Sequence, residues 1–207
     1  LYDRLASRYT KALARSMSNA KQVKAVTPLI DGLPSTDGYD SGDGVSLFNT
    51  SHTTVSGTAV KNTLTTQADL NETSLEQALI DIAAFTDERG LRVAARGVKM
   101  IIPSANQFNA ERLMKSQGRT GTADNDINAV ASMGMIPQGY RVNNFLTDSD
   151  SWYIITDVPN GMKMFQRAAL KTAMEGDFDT GNVRYKARER YSFGVSDFRG
   201  IFGVEGA

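Results

Sequence analysis

Hydrophobic and polar side chains alternate near the C-terminal end of the chain. In residues 183–193 the odd-numbered positions hold Val, Tyr, Ala, Glu, Tyr and Phe, whereas the even-numbered positions hold Arg, Lys, Arg, Arg and Ser. Because successive side chains of a strand point to opposite faces, this alternation predicts a long strand with one largely apolar face and one cationic face. Turns flank the segment, and a short closing strand is expected before Gly203.

The first 25 residues follow a helical spacing instead. Apolar residues recur every three or four positions, which predicts a long amphipathic helix. They are Leu1, Leu5, Tyr9, Ala12, Leu13, Met17 and Ala20. A second stripe of this helix is basic and consists of Arg4, Arg8, Lys11 and Arg15. The basic stripe is either a solvated face or a face directed to DNA or to a partner.

Between the two ends, the chain changes character twice. Residues 28–72 are rich in Gly, Ser, Thr, Asn and Asp, which predicts a long loop-rich region with few strands. From residue 73 to about residue 160, helical and strand patterns alternate, which predicts a compact α/β unit inserted between the two flanks.

Capping signals help to place the helices of this inserted unit. Thr73 and Glu76 form a capping-box pattern, and the helix that follows is expected to run to about Arg89 and to stop at Gly90. The other elements predicted in this part of the chain are helices over 104–116 and 127–132 and strands over 98–102, 140–143 and 152–156. After this unit, two short segments, 162–165 and 170–174, are expected to lead into the C-terminal strands.

Composition restricts the classes of function. The chain has 207 residues and no cysteine, so disulfides and thiol chemistry are excluded. Its 23 lysines and arginines equal its 23 acidic residues, whereas a protein that coats nucleic acid is usually basic. No apolar run approaches the ~20 residues needed to cross a membrane, and no signal peptide pattern is present, so no membrane partner is expected.

Candidate chemistry is sparse. His52 is the only histidine, and in a Ser/Thr-rich loop it is interpreted as a hydrogen-bonding residue, so no catalytic residue and no cofactor are assigned. Asp177 and Asp179 are weak candidates for a metal site because they resemble the start of a calcium loop. The bidentate Glu that such a loop requires is missing, so a tight turn is favoured and no metal is assigned.

Several segments together resemble a known family. They are LEQALIDIAAFTDERGL, IIPSANQFNAERLMKS, TADNDINAV, MGMIPQGYRVNNFLTDSDSWYIITDVPNG, GDFDTGNVRYKARERYSFGVSDFRGIFG and LFNTSH. This set resembles the major capsid (head) protein of tailed bacteriophages, and is similar to the Mu-like head subunits. The resemblance covers residues 1–205, and its C-terminal segment is the most specific part.

The resemblance implies an α+β protein with the Hong Kong-type capsid fold. That fold has a peripheral domain, with a long spine helix and long antiparallel strands, and an inserted α/β axial domain. By this resemblance, residues 1–72 form the first part of the peripheral domain, 73–165 the axial domain, and 166–207 the return strands. Relatives carry an N-terminal arm and an extended loop before the spine helix. Because the helical pattern already includes Leu1, a natural chain start there is not expected.

The resemblance also implies a function. The chain would assemble with itself, in hexamers and pentamers, into the icosahedral head shell of a virion. It would enclose double-stranded DNA, which it would contact without sequence preference, and would meet portal, scaffolding or decoration proteins. It would be synthesised in the bacterial host cytoplasm and would not be an enzyme. The alternatives are an encapsulin-like compartment, a nucleic-acid-binding β-sheet module that uses the cationic strand face, and a hydrolase with an unrecognised site.

Interfaces between subunits are therefore the expected functional sites. The candidates are Arg184, Lys186, Arg188, Arg190, Tyr191 and Phe193 on the long strand, with the basic helix stripe facing the lumen or a partner. Because four like charges on one strand face repel each other, at least two of them are expected to pair with carboxylates across a subunit interface. Residues 28–72, predicted to be poor in local core, are expected to be ordered by neighbouring subunits, whereas Leu5, Leu13 and Met17 are expected to be buried.

Overall fold

Two compact units make up the chain. A computed structural model describes residues 2–36, 38–119 and 126–207, with side chains from residue 7 onward. The larger unit, Val26–Met162 with Val195–Ala207, is called the core unit, and the smaller one, Leu1–Ala25 with Lys163–Gly194, is called the helix–hairpin unit.

Helices and strands are mixed along the chain, which confirms the predicted α+β class. The helices are α1 (Tyr2–Ile30), α2 (Glu72–Ala83), α3 (Gln107–Lys115) and α4 (Ala129–Met133). The strands are β1 (His52–Thr53), β2 (Ala59–Val60), β3 (Gly97–Ile102), β4 (Tyr140–Val142), β5 (Trp152–Thr156), β6 (Met162–Gly176), β7 (Val183–Val195) and β8 (Ile201–Val204). Short 3-10 turns, Ser104–Asn106 and Phe198–Gly200, precede α3 and β8.

A four-stranded sheet, ordered β4-β3-β5-β8, organises the core unit. β3 and β4 are parallel, and the other two pairs are antiparallel. Trp152 and Ile154 of β5 enter one hydrophobic cluster with α2 and α3, whereas Tyr153 between them enters a second cluster with the end of α1. Since neighbouring residues of a strand face opposite sides, apolar side chains cover both faces of the sheet, which explains why β5 reads as a continuous apolar run.

Residues 28–72 differ from the prediction. The region has few strands, as expected, but it supplies buried side chains to the core, among them Leu33, Phe48 and Leu64. The fully buried Asn62 donates to the carbonyl of Leu47 at 2.7 Å and accepts from the N–H of Asn49 at 2.9 Å. The prediction that this region is poor in local core is therefore wrong: isolated apolar residues between turns are buried one by one and leave no periodic pattern.

The first helix of the inserted unit is shorter than predicted. Its N-cap is Asn71, which accepts from the N–H of Ser74 at 2.9 Å, so the capping box predicted two residues later does not form. The helix ends at Ala83 because Phe85 turns into the core and the loop that follows has its own hydrogen bonds. Gly90 has the expected positive φ of 83°, but it lies in this loop and not at the helix end.

Two glycines allow the main chain to cross closely beside β8. A Cβ added to Gly200 would lie 2.2 Å from the Cα of Gly161. No side chain fits there, since both contacting groups are backbone.

The helix–hairpin unit contains the first 25 residues and a two-stranded sheet of β6 and β7. The sequence predicts two short segments over 162–165 and 170–174, but β6 is continuous through both. Among the residues of this unit whose side chains the structure describes, no hydrophobic residue is buried. The assignment of 1–72, 73–165 and 166–207 to peripheral and axial domains stays a prediction.

Candidate assembly surface

The side chains of β7 alternate as the sequence predicts. Lys186, Arg188 and Arg190 are exposed, whereas the intervening Ala187 and Glu189 are half-buried. The cations therefore share one exposed face of the strand.

The other face of β7 contacts α1 within the same unit. Lys21 Nζ lies 2.6 Å from Glu189 Oε1 and 5.2 Å from the ring centroid of Tyr191. Only 7% of the Glu189 side chain is exposed, so this ion pair is shielded from water. Tyr191 packs edge-on against Phe193, with ring centroids 5.5 Å apart. Both predicted interface aromatics are thus half-buried in their own unit, and their place in a subunit interface stays a prediction.

The adjacent strand adds cations to the exposed face. Gln166 of β6 donates to Glu189 Oε1 at 3.4 Å, so the even-numbered residues of β6 share a face with the odd-numbered residues of β7. Arg167 and Lys171 of β6 therefore lie on the same side as the even-numbered cations of β7. Sequence analysis missed them because it divided β6 into two short segments. In one continuous strand, two residues four positions apart lie on the same face, so the spacing of Arg167 and Lys171 was an available signal.

We call this surface the cationic sheet face. Its members are Arg167, Lys171, Arg184, Lys186, Arg188 and Arg190, all of them exposed. Arg184 lies 3.3 Å from Asp177, a contact at the surface that contributes little. The other five form no ion pair with any residue that the structure describes.

A tight turn joins the two strands. The carboxylate of Asp177 accepts from the Asp179 N–H at 3.2 Å and from the Thr180 hydroxyl at 2.9 Å, and Gly181 has a φ of 66°. Within the described ranges, no three His, Cys, Asp or Glu side chains are grouped so that they could hold a metal ion. The geometry is that of a turn stabilised by its own aspartate.

The basic stripe of α1 is exposed where its side chains are described. Arg8, Lys11 and Arg15 are all exposed, whereas the side chains of Arg4 and Leu5 lie outside the described residues. Leu13 and Met17 are half-buried, so the prediction that they are buried is wrong for the chain on its own. The reason is that this unit has no interior of its own.

Large apolar side chains are exposed on the hairpin. Phe178 at the turn is fully exposed, and the others that are at least a third exposed are Met164, Phe165, Leu170, Met174, Val183 and Tyr185. A water-soluble monomer rarely exposes so many large apolar groups on one small element, and such a patch is typical of an interaction site.

The formal charge of the chain is divided between the units. The helix–hairpin unit holds thirteen lysines and arginines against five acidic residues, a charge of +8. The core unit holds ten against eighteen, a charge of −8. The zero net charge of the chain therefore conceals two strongly charged units of opposite sign.

His52 is a structural residue of the core unit. Its ring is fully buried, with Nδ1 2.6 Å from Asp43 Oδ2 and Nε2 3.1 Å from Asn62 Oδ1, and it stacks on Phe198 at 3.9 Å. Because the Asn62 amide nitrogen donates to the Leu47 carbonyl, its oxygen accepts from His52. Each ring nitrogen thus faces a side-chain oxygen, which fixes the orientation of the buried ring.

The environment of Asp43 agrees with this pairing. Burial raises the pKa of Asp43, but hydrogen bonds from Ser41 and His52 outweigh burial and hold the pKa below its usual value. Arg199 forms a second buried cluster, which sequence analysis missed: it donates to the Thr86 carbonyl and to Glu88, each at 2.7 Å. The hydrogen bond from Arg199 is the main cause that lowers the pKa of Glu88. A lone arginine between glycine and aromatic residues carries no sequence signal for such a role.

A family model described as phage capsid protein matches residues 2–204 of the chain. The chain belongs to the phage capsid protein family. The resemblance that was based on the residues alone is confirmed by this match. No curated protein sequence matches the chain at a significant level.

Solved structures share this capsid fold at low sequence identity. The capsid of an empty GTA particle is 18% identical, with a TM-score of 0.51, over 100% of this chain and 66% of that one. The capsid of Myoviridae phage XM1 is 14% identical, with a TM-score of 0.53, over 98% of this chain and 65% of that one. A structure from Mycobacterium phage Che8 is 15% identical, with a TM-score of 0.51, over 96% and 63%.

These likenesses confirm the predicted capsid fold. The chain spans less than two thirds of the length of each of these structures. None of the helices in the described part of this capsid-family chain is both long enough and apolar enough to span a membrane.

Proposed function

We propose that this chain is the major shell subunit of a tailed-phage head, and that it assembles with copies of itself into an icosahedral shell around double-stranded DNA. Membership of the phage capsid protein family supports a structural and non-enzymatic role in the virion. The protein would be made in the bacterial host cytoplasm before it assembles.

One observation carries the proposal. In the part of the chain whose side chains are described, the helix–hairpin unit has no buried hydrophobic residue and exposes large apolar groups, whereas the core unit buries its own hydrophobic side chains. Each buried apolar side chain contributes about 1.5–3 kcal/mol, so an element that buries none gains little from its own chain. Contact with other copies would supply the missing burial, since obligate interfaces bury ~2,000–5,000 Å².

The partners follow from the same division. Copies would associate in pentamers and hexamers, and the β7 residues Arg184, Lys186, Arg188, Arg190, Tyr191 and Phe193 are proposed for the contacts between them. The exposed helix stripe of Arg8, Lys11 and Arg15, with Arg4, would face the lumen or a partner. DNA would be contacted through its phosphates, since a shell accepts any packaged sequence. Portal, scaffolding and decoration proteins would be further partners.

Negative-stain microscopy of the purified full chain tests the proposal. Closed shells of uniform diameter, or rings of five and six copies, are the expected result. A protein that sediments as a monomer at every concentration and forms neither rings nor shells would contradict it.

A further inference from the structure

The cationic sheet face lacks counter-charges within its own unit. Five of its six cations are exposed and form no ion pair with any described residue. Side chains two apart on one strand face lie about 7 Å apart, so these like charges repel each other. A partner that brings negative charge to this face would relieve the repulsion.

The core unit has the opposite excess. Ten of its described carboxylates have no ion-pair partner among the residues that the structure describes: Asp31, Asp40, Asp69, Glu76, Asp87, Asp126, Asp148, Asp150, Asp157 and Glu205. Some of them crowd together: the pKa of Asp148 is raised by burial, by its hydrogen bond with Asp150 and by the charges of Asp150 and Glu205. The negative charge of this unit is therefore unbalanced as well.

We infer that the cationic sheet face of one copy docks on the acidic core unit of a second copy. This inference rests on the proposed assembly and names the contact that directs it. The charges of +8 and −8 cancel in every pair of unlike units, so a shell of identical copies needs no further polyanion at these contacts.

The kind of symmetry follows from this pairing. The two complementary surfaces are different parts of the chain, so the contact is heterologous, or head to tail. Heterologous contacts close into rings when the rotation between copies allows it, whereas identical patches would produce isolated dimers. A head-to-tail contact is thus the type that rings of five or six copies require.

DNA fits the face less well as its main occupant. A duplex that approaches this chain would meet the attraction of one unit and the repulsion of the other, since the chain as a whole is neutral. A second copy always presents the acidic unit together with the cationic one. Charge complementarity therefore favours a second copy.

Two substitutions with the same change in total charge test the inference. Arg188→Glu reverses an exposed cation on the sheet face, and Arg92→Glu reverses an exposed cation of the core unit; neither residue has an ion-pair partner among the described residues. The full-length proteins, freed of nucleic acid, would be followed by light scattering at about 0.1 M and about 0.5 M salt. Arg188→Gln serves as a milder variant, and thermal unfolding checks that each protein is folded.

The expected result is opposite for the two reversals. Arg188→Glu should assemble about tenfold more slowly than wild type or worse, with a weaker dependence on salt, because electrostatic steering is lost. Arg92→Glu should assemble as fast as wild type or faster, because it makes the docking partner more acidic.

Three outcomes would overturn the inference. If Arg188→Glu and wild type form shells at equal rates, the docking contact is wrong while the proposed shell function stands. If wild type assembles only when duplex DNA is added, and Arg188→Glu loses DNA binding, the occupant of the face is DNA. If wild type forms neither rings nor shells, the inference fails together with the proposed function.

Discussion

The core unit and the helix–hairpin unit differ in what holds them together. The core unit covers both faces of its sheet with its own side chains, whereas the helix–hairpin unit buries no hydrophobic residue among those whose side chains are described. Within the smaller unit, the shielded Lys21–Glu189 pair and the contact of Lys21 with the Tyr191 ring join helix and sheet. The difference is one of burial: the core unit covers its hydrophobic side chains itself, whereas the helix–hairpin unit leaves its large apolar side chains exposed, and we propose that other copies cover them.

Truncation of an apolar side chain should give the largest difference in stability between a variant of the core unit and a variant of the helix–hairpin unit. Leu75 of α2 is fully buried, so Leu75→Ala should lower the free energy of unfolding by about 2–5 kcal/mol. Leu170 of β6 is 48% exposed, so Leu170→Ala should change it by less than about 0.5 kcal/mol and reduce shell yield instead. Urea unfolding of the unassembled protein and negative-stain counts of shells give the two measurements. A large loss of monomer stability in Leu170→Ala would show that Leu170 is buried within the unassembled chain, contrary to the structure.

Glycine substitution offers a second contrast. In Gly200→Ala the new methyl group would lie 2.2 Å from the Cα of Gly161, so we expect a loss of about 3 kcal/mol through overpacking. Gly176 of β6 has no atom within 4 Å of such a methyl group, so Gly176→Ala is the matched control and should be neutral or slightly stabilising. Thermal unfolding measures the melting temperatures of the two variants. Equal melting temperatures would contradict the close backbone contact between Gly200 and Gly161.

The Lys21–Glu189 pair tests the smaller unit on its own. Glu189→Gln removes the carboxylate charge that faces Lys21, and we expect the helix–hairpin unit to lose about 1–2 kcal/mol, because its partner Lys21 is still partly hydrated. Hydrogen exchange should accelerate in β6 and β7 and remain unchanged in β3 and β5. Glu175→Gln, on an exposed residue of the same strand pair, is the control. Faster exchange in both units would mean that they unfold as one.

The His52–Asp43 contact should give the smallest effect. The pKa of Asp43 is lowered in the folded state, so its contribution is present above the unfolded pKa and is lost as the pH falls through the folded value. Asp43→Asn should therefore lower stability at neutral pH and flatten the acid limb of the curve, and the effect should be small because Asp43 is exposed and water screens its charge. Urea unfolding between about pH 3 and pH 7 measures this. Asp40→Asn, which has no contact with His52, should keep the wild-type slope, and an unchanged slope in Asp43→Asn would refute the pairing.

Sequence alone was sufficient where a pattern repeats. The alternation over 183–193, the helical spacing over 1–25 and the apolar run of β5 each predict an element that the structure contains. Prediction failed where a contact involves single residues and leaves no repeating pattern. The burial of residues in 28–72 and the hydrogen bonds of Arg199 to Thr86 and Glu88 depend on which loop lies beside which strand, and no spacing in the chain encodes that. The Asn71 cap is different, because Asn is a favoured N-cap and its contact with Ser74 is local, so the sequence held a signal that was passed over for Thr73.

The cationic sheet face was only half predictable for a similar reason. The β7 cations follow from alternation, but the membership of Arg167 and Lys171 depends on how β6 pairs with β7. The net charge of the whole chain is zero, so it did not show that the two units carry opposite charges. The proposed contact between copies therefore depends on the net charge of each folded unit and not on that of the whole chain.

The chain contains a single tryptophan and a single histidine, and both lie fully buried in the core unit. Indole fluorescence and the imidazole resonances therefore report the state of that unit alone. Turbidity or light scattering, by contrast, would report the proposed association of copies. Folding and shell formation can thus be followed in one cuvette by independent optical signals, without a label attached to either unit.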